Sequence, residues 1–273
     1  MSNQSQNDSI CPPRLPSRPF PALGRPVSCI SWGSFKIGRN TRTKYPTPFE
    51  LPDESESARM IDSVLAMGVT LLDTAPAYGL AESRIGCGLG QRRGAIVLAT
   101  KVGELFADGV STYDFSGAAT TRSLHHSRER LQTERLDLVC IHADGSDEAI
   151  IRDGSCLAAL DAARQEGHVG CLGLSATTLN GARLALQDPR IGALMVEYNP
   201  SATGMSALFD EAARRGVAVL VKKALGSGRI APEEAIPFCL AHPAVTSVVI
   251  GTKTPSHLAA SCALASRCGG GSA

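Results

Sequence analysis

From residue 27 onward, short apolar runs alternate with longer segments in which apolar residues recur every three or four positions. The runs start near Val27, Val69, Ala95, Leu136, Cys171, Ala193, Val217 and Thr246. They are continuous rather than alternating, as parallel strands covered on both faces require. Their irregular spacing averages roughly 30 residues, the size of one strand–helix unit. The segments between them read as helices. In Asp53–Met67, Ala58, Ile61, Val64 and Leu65 share a face. Asp53 with Glu56 predicts a capping box there, and Gly68 a C-terminal stop. Cys156–Glu166 and Thr203–Arg215 follow the same rule and are closed by Gly167 and Gly216. Eight such units in one pattern predict an α/β protein, a (β/α)8 TIM barrel with a parallel eight-stranded barrel and outer helices. The barrel is expected over residues 20–265 as a single domain, with flexible tails at 1–19 and 266–273. An open doubly wound sheet is the competitor. It normally carries a glycine-rich phosphate loop after the first strand, where Trp32-Gly33-Ser34-Phe35 stands instead.

Composition narrows the classes. Of 273 residues, 43% are apolar and 19% charged, with 27 basic against 26 acidic side chains. Near-neutral charge without a basic stripe argues against nucleic acid as a partner. The longest apolar runs, such as Val217–Val221, are far too short to span a bilayer. Residues 1–19 are polar and proline-rich, without the apolar core of a signal peptide. The nine cysteines are scattered, several within apolar runs, and form no C-x-x-C pair. A reduced, cytoplasmic setting is expected, with no metal site. A monomer is the default expectation.

A barrel presents its chemistry at the C-terminal ends of its strands. Polar residues that end apolar runs are therefore the candidates: Asp73, Lys101, His142, Ser175, Glu197, Lys222 and Lys223, with Tyr78 five residues past Asp73. Asp73, Tyr78, Lys101 and His142 come from three adjacent units. A phenol is a weak acid near neutrality, and a nearby ammonium stabilises the phenolate. A carboxylate keeps that ammonium charged, and an imidazole orients a substrate oxygen. The set suits reduction of a carbonyl with Tyr78 giving the proton. Lys101 or Lys222 as a Schiff-base amine of a lyase or isomerase is a weaker alternative.

The stretch Gly68-Val-Thr-Leu-Leu-Asp73-Thr-Ala-Pro-Ala-Tyr78-Gly79-Leu-Ala-Glu82-Ser-Arg-Ile-Gly86 closely resembles the aldo-keto reductase signature. The similarity continues through Ala99-Thr-Lys101, Leu136–His142, Gly167–Ser175, Val196-Glu197-Tyr-Asn-Pro200, Leu225–Gly228 and Ile250–Leu258. Lys101-Val102-Gly103 with Tyr113–Ser116 resembles the bacterial aldose (fucose-type) dehydrogenase branch. The resemblance implies hydride transfer between NADP(H), less readily NAD(H), and a small aldehyde, ketone or sugar. It places Asp73, Tyr78, Lys101 and His142 in the catalytic tetrad. It implies cofactor contacts from Gly33, Ser34 and Ser175, from Lys222, Lys223, Leu225, Gly226, Ser227 and Arg229, and from Gly251, Thr252, Lys253 and His257. Trp32 is expected to line the substrate pocket.

Three departures from the family pattern touch the expected nicotinamide cradle, and a fourth, Ala260-Ser261 in place of an acidic–Asn pair, falls where adenine is expected. Ala176 stands where the family often has Asn, Met195 where it has Gln, and Lys222 where a Tyr stacks on the ring. They motivate the alternative of a slow or non-catalytic cofactor-binding regulatory protein on the same barrel. Gly86-Cys-Gly88-Leu-Gly90 superficially matches a dinucleotide fingerprint but follows a helical segment, so its glycines are expected to end that helix.

Overall fold

The computed structural model describes residues 15–269. Eight parallel strands close into a barrel: β3 (Ile30–Gly33), β4 (Leu71–Asp73), β5 (Val97–Val102), β8 (Leu136–His142), β9 (Val169–Ser175), β10 (Ile191–Glu197), β11 (Ala218–Lys222) and β12 (Val245–Gly251), with β12 pairing back to β3. The outer helices are α1 (Glu54–Ala66), α2 (Ala81–Leu89), α3 (Gly117–Arg130), α4 (Asp147–Asp153), α5 (Ser155–Gln165), α6 (Leu179–Gln187), α7 (Phe209–Arg214), α8 (Pro232–Ala241) and α9 (Pro255–Gly269). The expected TIM barrel is therefore the fold.

Local chemistry explains the elements. Asp53 Oδ1 accepts from the Glu56 backbone at 2.7 Å while Glu56 Oε2 accepts from the Asp53 backbone at 2.9 Å, completing the capping box of α1. Two apolar layers result from the period-two strand pattern. Ile30, Trp32, Leu72, Leu98, Val139, Leu172, Leu194, Val219 and Ile250 face the helices. Leu71, Val97, Ala99, Leu138, Cys140, Cys171, Ala193, Met195, Ala218 and Leu220 fill the barrel interior.

Four sequence expectations need correction. Val27 belongs to an N-terminal hairpin, β1 (Ser17–Phe20) with β2 (Arg25–Ser28), which caps the floor of the barrel; the first barrel strand begins at Ile30. Of the tail expected at 1–19, residues 17–19 thus pair in a strand, and 1–14 lie outside the described residues. Residues 266–269 belong to α9, and 270–273 lie outside the described residues. Gly90, at φ +47°, ends α2 as expected, but Gly86 and Gly88 lie inside it. A Cβ on Gly86 would sit 2.3 Å from the Arg130 carbonyl oxygen, so their role is close helix packing.

A second hairpin, β6 (Glu104–Ala107) with β7 (Val110–Tyr113), follows β5. Its turn residues Asp108 and Gly109 both have positive φ, +51° and +78°, as a tight primed turn requires. The hairpin packs on the turn that carries Tyr78. No helix among the described residues is long and apolar enough to cross a membrane.

Candidate active site

The interior alternation continues to the top of the barrel. Counting in twos from Leu71, Ala99, Cys140, Gly173, Met195, Leu220 and Val249 gives Asp73, Lys101, His142, Ser175, Glu197, Lys222 and Gly251. Sheet pleating thus places the polar strand ends in one ring above the apolar interior.

Lys101 and Asp73 form the centre of this ring. Lys101 is 1% exposed, and its Nζ donates to Asp73 Oδ1 at 2.7 Å, to Oδ2 at 2.8 Å and to the Thr74 carbonyl at 2.9 Å. Burial acts to discharge the amine, but Asp73 outweighs it and holds the pKa above the ordinary lysine value. The same Nζ lies 4.8 Å from the centroid of the Tyr78 ring. Burial pushes the Tyr78 phenol up to about 12, against the opposing pull of Lys101. The ammonium therefore tempers the phenol's pKa without bringing it below its usual value. Phe35 packs edge-on against Tyr78, with ring centroids 5.2 Å apart.

His142 closes the group, its ring edge-on to Tyr78 with centroids 6.2 Å apart. Its Nδ1 lies 2.8 Å from Glu104 Oε2, out of line for a straight hydrogen bond but at ion-pair distance. Burial lowers the His142 pKa, and Glu104 opposes that shift. Glu104 was not among the sequence candidates. Its signal was the Asp108-Gly109 dipeptide between two β-rich runs, which marks the hairpin that delivers it.

On the other side of the mouth, Lys222 Nζ donates to Ser175 Oγ at 2.8 Å. Burial and the like charges of Lys223 and Lys101 pull the Lys222 pKa down to about 7. Lys223, in the left-handed region at φ +53°, turns away and pairs with Glu197 Oε2 at 2.5 Å.

A sequence model of the aldo/keto reductase family matches residues 30–237. The chain belongs to this family. Among solved structures, a Pseudomonas aeruginosa protein assigned to the aldo-keto reductases superposes with a TM-score of 0.85. It is 35% identical, and the match covers 94% of this chain and 97% of that one. A 6-dehydroglucose reductase of Novosphingobium aromaticivorans is 28% identical over 228 residues, 76% of this chain and 68% of the relative. A D-threo-aldose 1-dehydrogenase of a Pseudomonas species is 23% identical over 242 residues, 78% of this chain and 70% of the relative. Membership implies a nicotinamide-dependent oxidoreductase acting on carbonyl or sugar substrates.

The residues that an aldo-keto reductase would turn toward its nicotinamide cofactor fit such a group. Ser34 Oγ, just past β3, is buried without a hydrogen-bond partner. Gly33 and Gly251 end neighbouring strands in register. A Cβ on Gly251 would lie 3.0 Å from Tyr45 Oη, so this edge of the mouth is kept narrow by glycine. Leu225, Gly226 and Ser227 form the turn after β11, with Gly226 and Ser227 at positive φ. Arg229 donates to the Lys44 carbonyl at 3.2 Å, and Lys253 to the Glu50 carbonyl at 2.7 Å. These two cations thus tether the 44–50 loop, with Tyr45, across the groove. Sequence reasoning missed that loop because it has no periodic pattern. Thr252 is buried and uses its carbonyl to receive Trp32 Nε1 at 2.8 Å, and His257 is exposed in the first turn of α9.

The expected pocket role of Trp32 is corrected by its position. Its side chain is on the outer side of β3, fully enclosed between sheet and helices, because Ser31 and Gly33 take the inward positions. Glu82 has a structural role that the signature did not disclose. Thr100 Oγ1 donates to it at 2.6 Å and Arg130 Nε at 2.8 Å, tying α2 to β5 and α3. Among the described residues no group of three or more His, Cys, Asp or Glu side chains is placed to hold a metal.

Proposed function

We propose that the protein interconverts a small aldehyde, ketone or sugar carbonyl with its alcohol, with Tyr78 as general acid–base and NADP(H) preferred over NAD(H). The observation that carries this reading is the Lys101 ammonium, clamped by both Asp73 oxygens, against the face of Tyr78 and beside His142. The nicotinamide, when bound, supplies or accepts the hydride. Tyr78 is held protonated by burial at neutral pH and gives its proton to the carbonyl oxygen during reduction. In the reverse direction the fixed Lys101 charge stabilises the phenolate that receives the alcohol proton. His142 orients the substrate oxygen. Ser175 would hold the carboxamide, Gly33 and Ser34 the near edge of the ring, and the 222–229 turn the pyrophosphate. Arg229 and Lys253, in the two loops after β11 and β12, support the NADP(H) preference by their charge, and His257 by its position in the first turn of α9.

Tyr78→Phe keeps the ring and removes the proton. Mixed with NADPH and a panel of aldehydes and ketones, the variant should lose ~10²–10⁴-fold in rate. Its NADPH affinity should match that of the parent. Full turnover in the variant would overturn the assignment. Tight NADPH binding by the parent with no turnover on any carbonyl would favour the regulatory reading, for which Lys222 seated on Ser175 is the structural support.

A further inference from the structure

We infer that Glu104 is a positioning residue for the proposed reaction: from the β6–β7 hairpin its carboxylate fixes a proton on His142 Nδ1 and so makes Nε2 the edge offered to the substrate oxygen. The inference rests on the oxidoreductase reading for its chemistry, but its geometry stands alone.

Glu104 Oε2 lies 2.8 Å from His142 Nδ1, while Oε1 accepts from Ser111 Oγ at 2.7 Å. The carboxylate is therefore gripped from both strands of the hairpin, β6 through its own backbone and β7 through Ser111. An ionised carboxylate has only lone pairs to offer, so at that distance, although out of line for a straight hydrogen bond, it favours a ring nitrogen that carries hydrogen over one that presents a second lone pair. His142, Ser111 and Arg39 together overcome burial and hold the Glu104 carboxyl down at about 2, so the group is ionised at any working pH. The hairpin is itself pinned, because the Arg39 guanidinium lies 3.4 Å from the Phe106 ring centroid and also donates to the Ala77 carbonyl, beside Tyr78.

Protonation at Nδ1 has a chemical consequence. Neutral His142 then presents Nε2 as a lone pair, an acceptor only. The imidazolium presents Nε2–H, which donates to a carbonyl oxygen. Without the carboxylate either tautomer is open, and the ring loses its one anionic neighbour. The groups facing His142 are Glu104 from β6, Lys101 from β5, Lys222 from β11 and the Tyr78 phenol from the turn after β4. Burial and both lysines disfavour the imidazolium, and Glu104 alone among the four opposes that shift.

The test uses full-length protein labelled with ¹⁵N-histidine, with no substrate present. In the parent, neutral His142 should show the Nδ1–H tautomer. Glu104→Gln removes the charge and should lower the His142 pKa by one unit or more, a tenfold change in its protonation equilibrium. Glu104→Ala should in addition admit the Nε2–H tautomer. Unchanged signals from the other histidines establish that both variants are folded. An unshifted pKa and an unchanged tautomer in the two variants would overturn the inference. In a kinetic arm, the pH profile of carbonyl reduction by Glu104→Gln should move with the His142 pKa at unchanged KM for NADPH. A profile that stays put while the pKa moves would overturn the positioning role. Failure of the oxidoreductase reading would appear separately, as parent protein without turnover but with the His142 signature intact.

Discussion

Lys222 is the cation at the mouth whose charge is least secure. Lys101 has Asp73 and Lys223 has Glu197, whereas Lys222 has only the Ser175 hydroxyl. Its folded pKa near 7 lies below the value of an unfolded lysine. Between about pH 7 and 10.5 the unfolded chain then binds more protons than the folded one, so this residue makes stability rise with pH across that window. Below pH 7 both states are protonated and the full cost of the confined charge is present. Lys222→Met should therefore raise stability at pH 7 by ~1–3 kcal/mol, discounted for the side chain's partial exposure. The gain should shrink toward pH 10. Urea denaturation at pH 7 and 9.5 measures it, and a variant less stable than the parent at pH 7 would refute the account. The residues of the ring at the mouth were legible in the sequence because each is a polar group ending an apolar run. Trp32 was misread because a strand only four residues long gives too little alternation to tell which face a side chain takes.

At the scale of elements, the strands and helices followed from periodicity, and what escaped was packing and pairing. Gly86 shows the difference. Sequence alone treats glycine inside an apolar-periodic segment as a stop, yet α2 runs through it because α3 ends against it. An added methyl would meet the backbone at Arg130 and Leu131, which cannot swing aside as a side chain can. Gly86→Ala should cost ~1–3 kcal/mol by overpacking, despite alanine's better helix propensity. If thermal denaturation shows the variant to be as stable as the parent, α2 and α3 are not locked at this contact. The β6–β7 hairpin escaped for another reason. It lies outside the eight-fold repeat, so a reading tuned to strand–helix units passes over its Asp-Gly turn. The β1–β2 hairpin was hidden by Pro19 and Pro26, which lower the strand signal even though an isolated hairpin tolerates them.

The whole molecule divides its labour along the barrel axis. The mouth holds every strand-end group discussed above, including the buried charge pair of Asp73 and Lys101. The floor is closed by the β1–β2 hairpin, whose Phe20 and Val27 join the interior cluster with Leu71, Val97, Leu138 and Cys171. Arg18 fastens that hairpin by donating to the carbonyls of Leu240, His242 and Val245, where β12 begins. Conserving both ends in one barrel requires the floor to supply packing that the polar mouth cannot. Phe20 is 1% exposed, and Phe20→Ala would leave a cavity beneath the interior layer. The expected cost is ~3–5 kcal/mol, a fall of roughly 6–20 °C in Tm for a chain of this size. The mouth is a barrel's length away, so the folded variant at 25 °C should keep its carbonyl-reduction rate within about twofold and its NADPH affinity unchanged. Tyr78→Phe should show the opposite pattern, with rate lost and Tm kept. A Phe20→Ala protein that stays folded but loses turnover would mean that floor and mouth are mechanically coupled through the small-residue interior of Ala99, Cys140, Gly173 and Ala193, and that the barrel is not the rigid support assumed for the site.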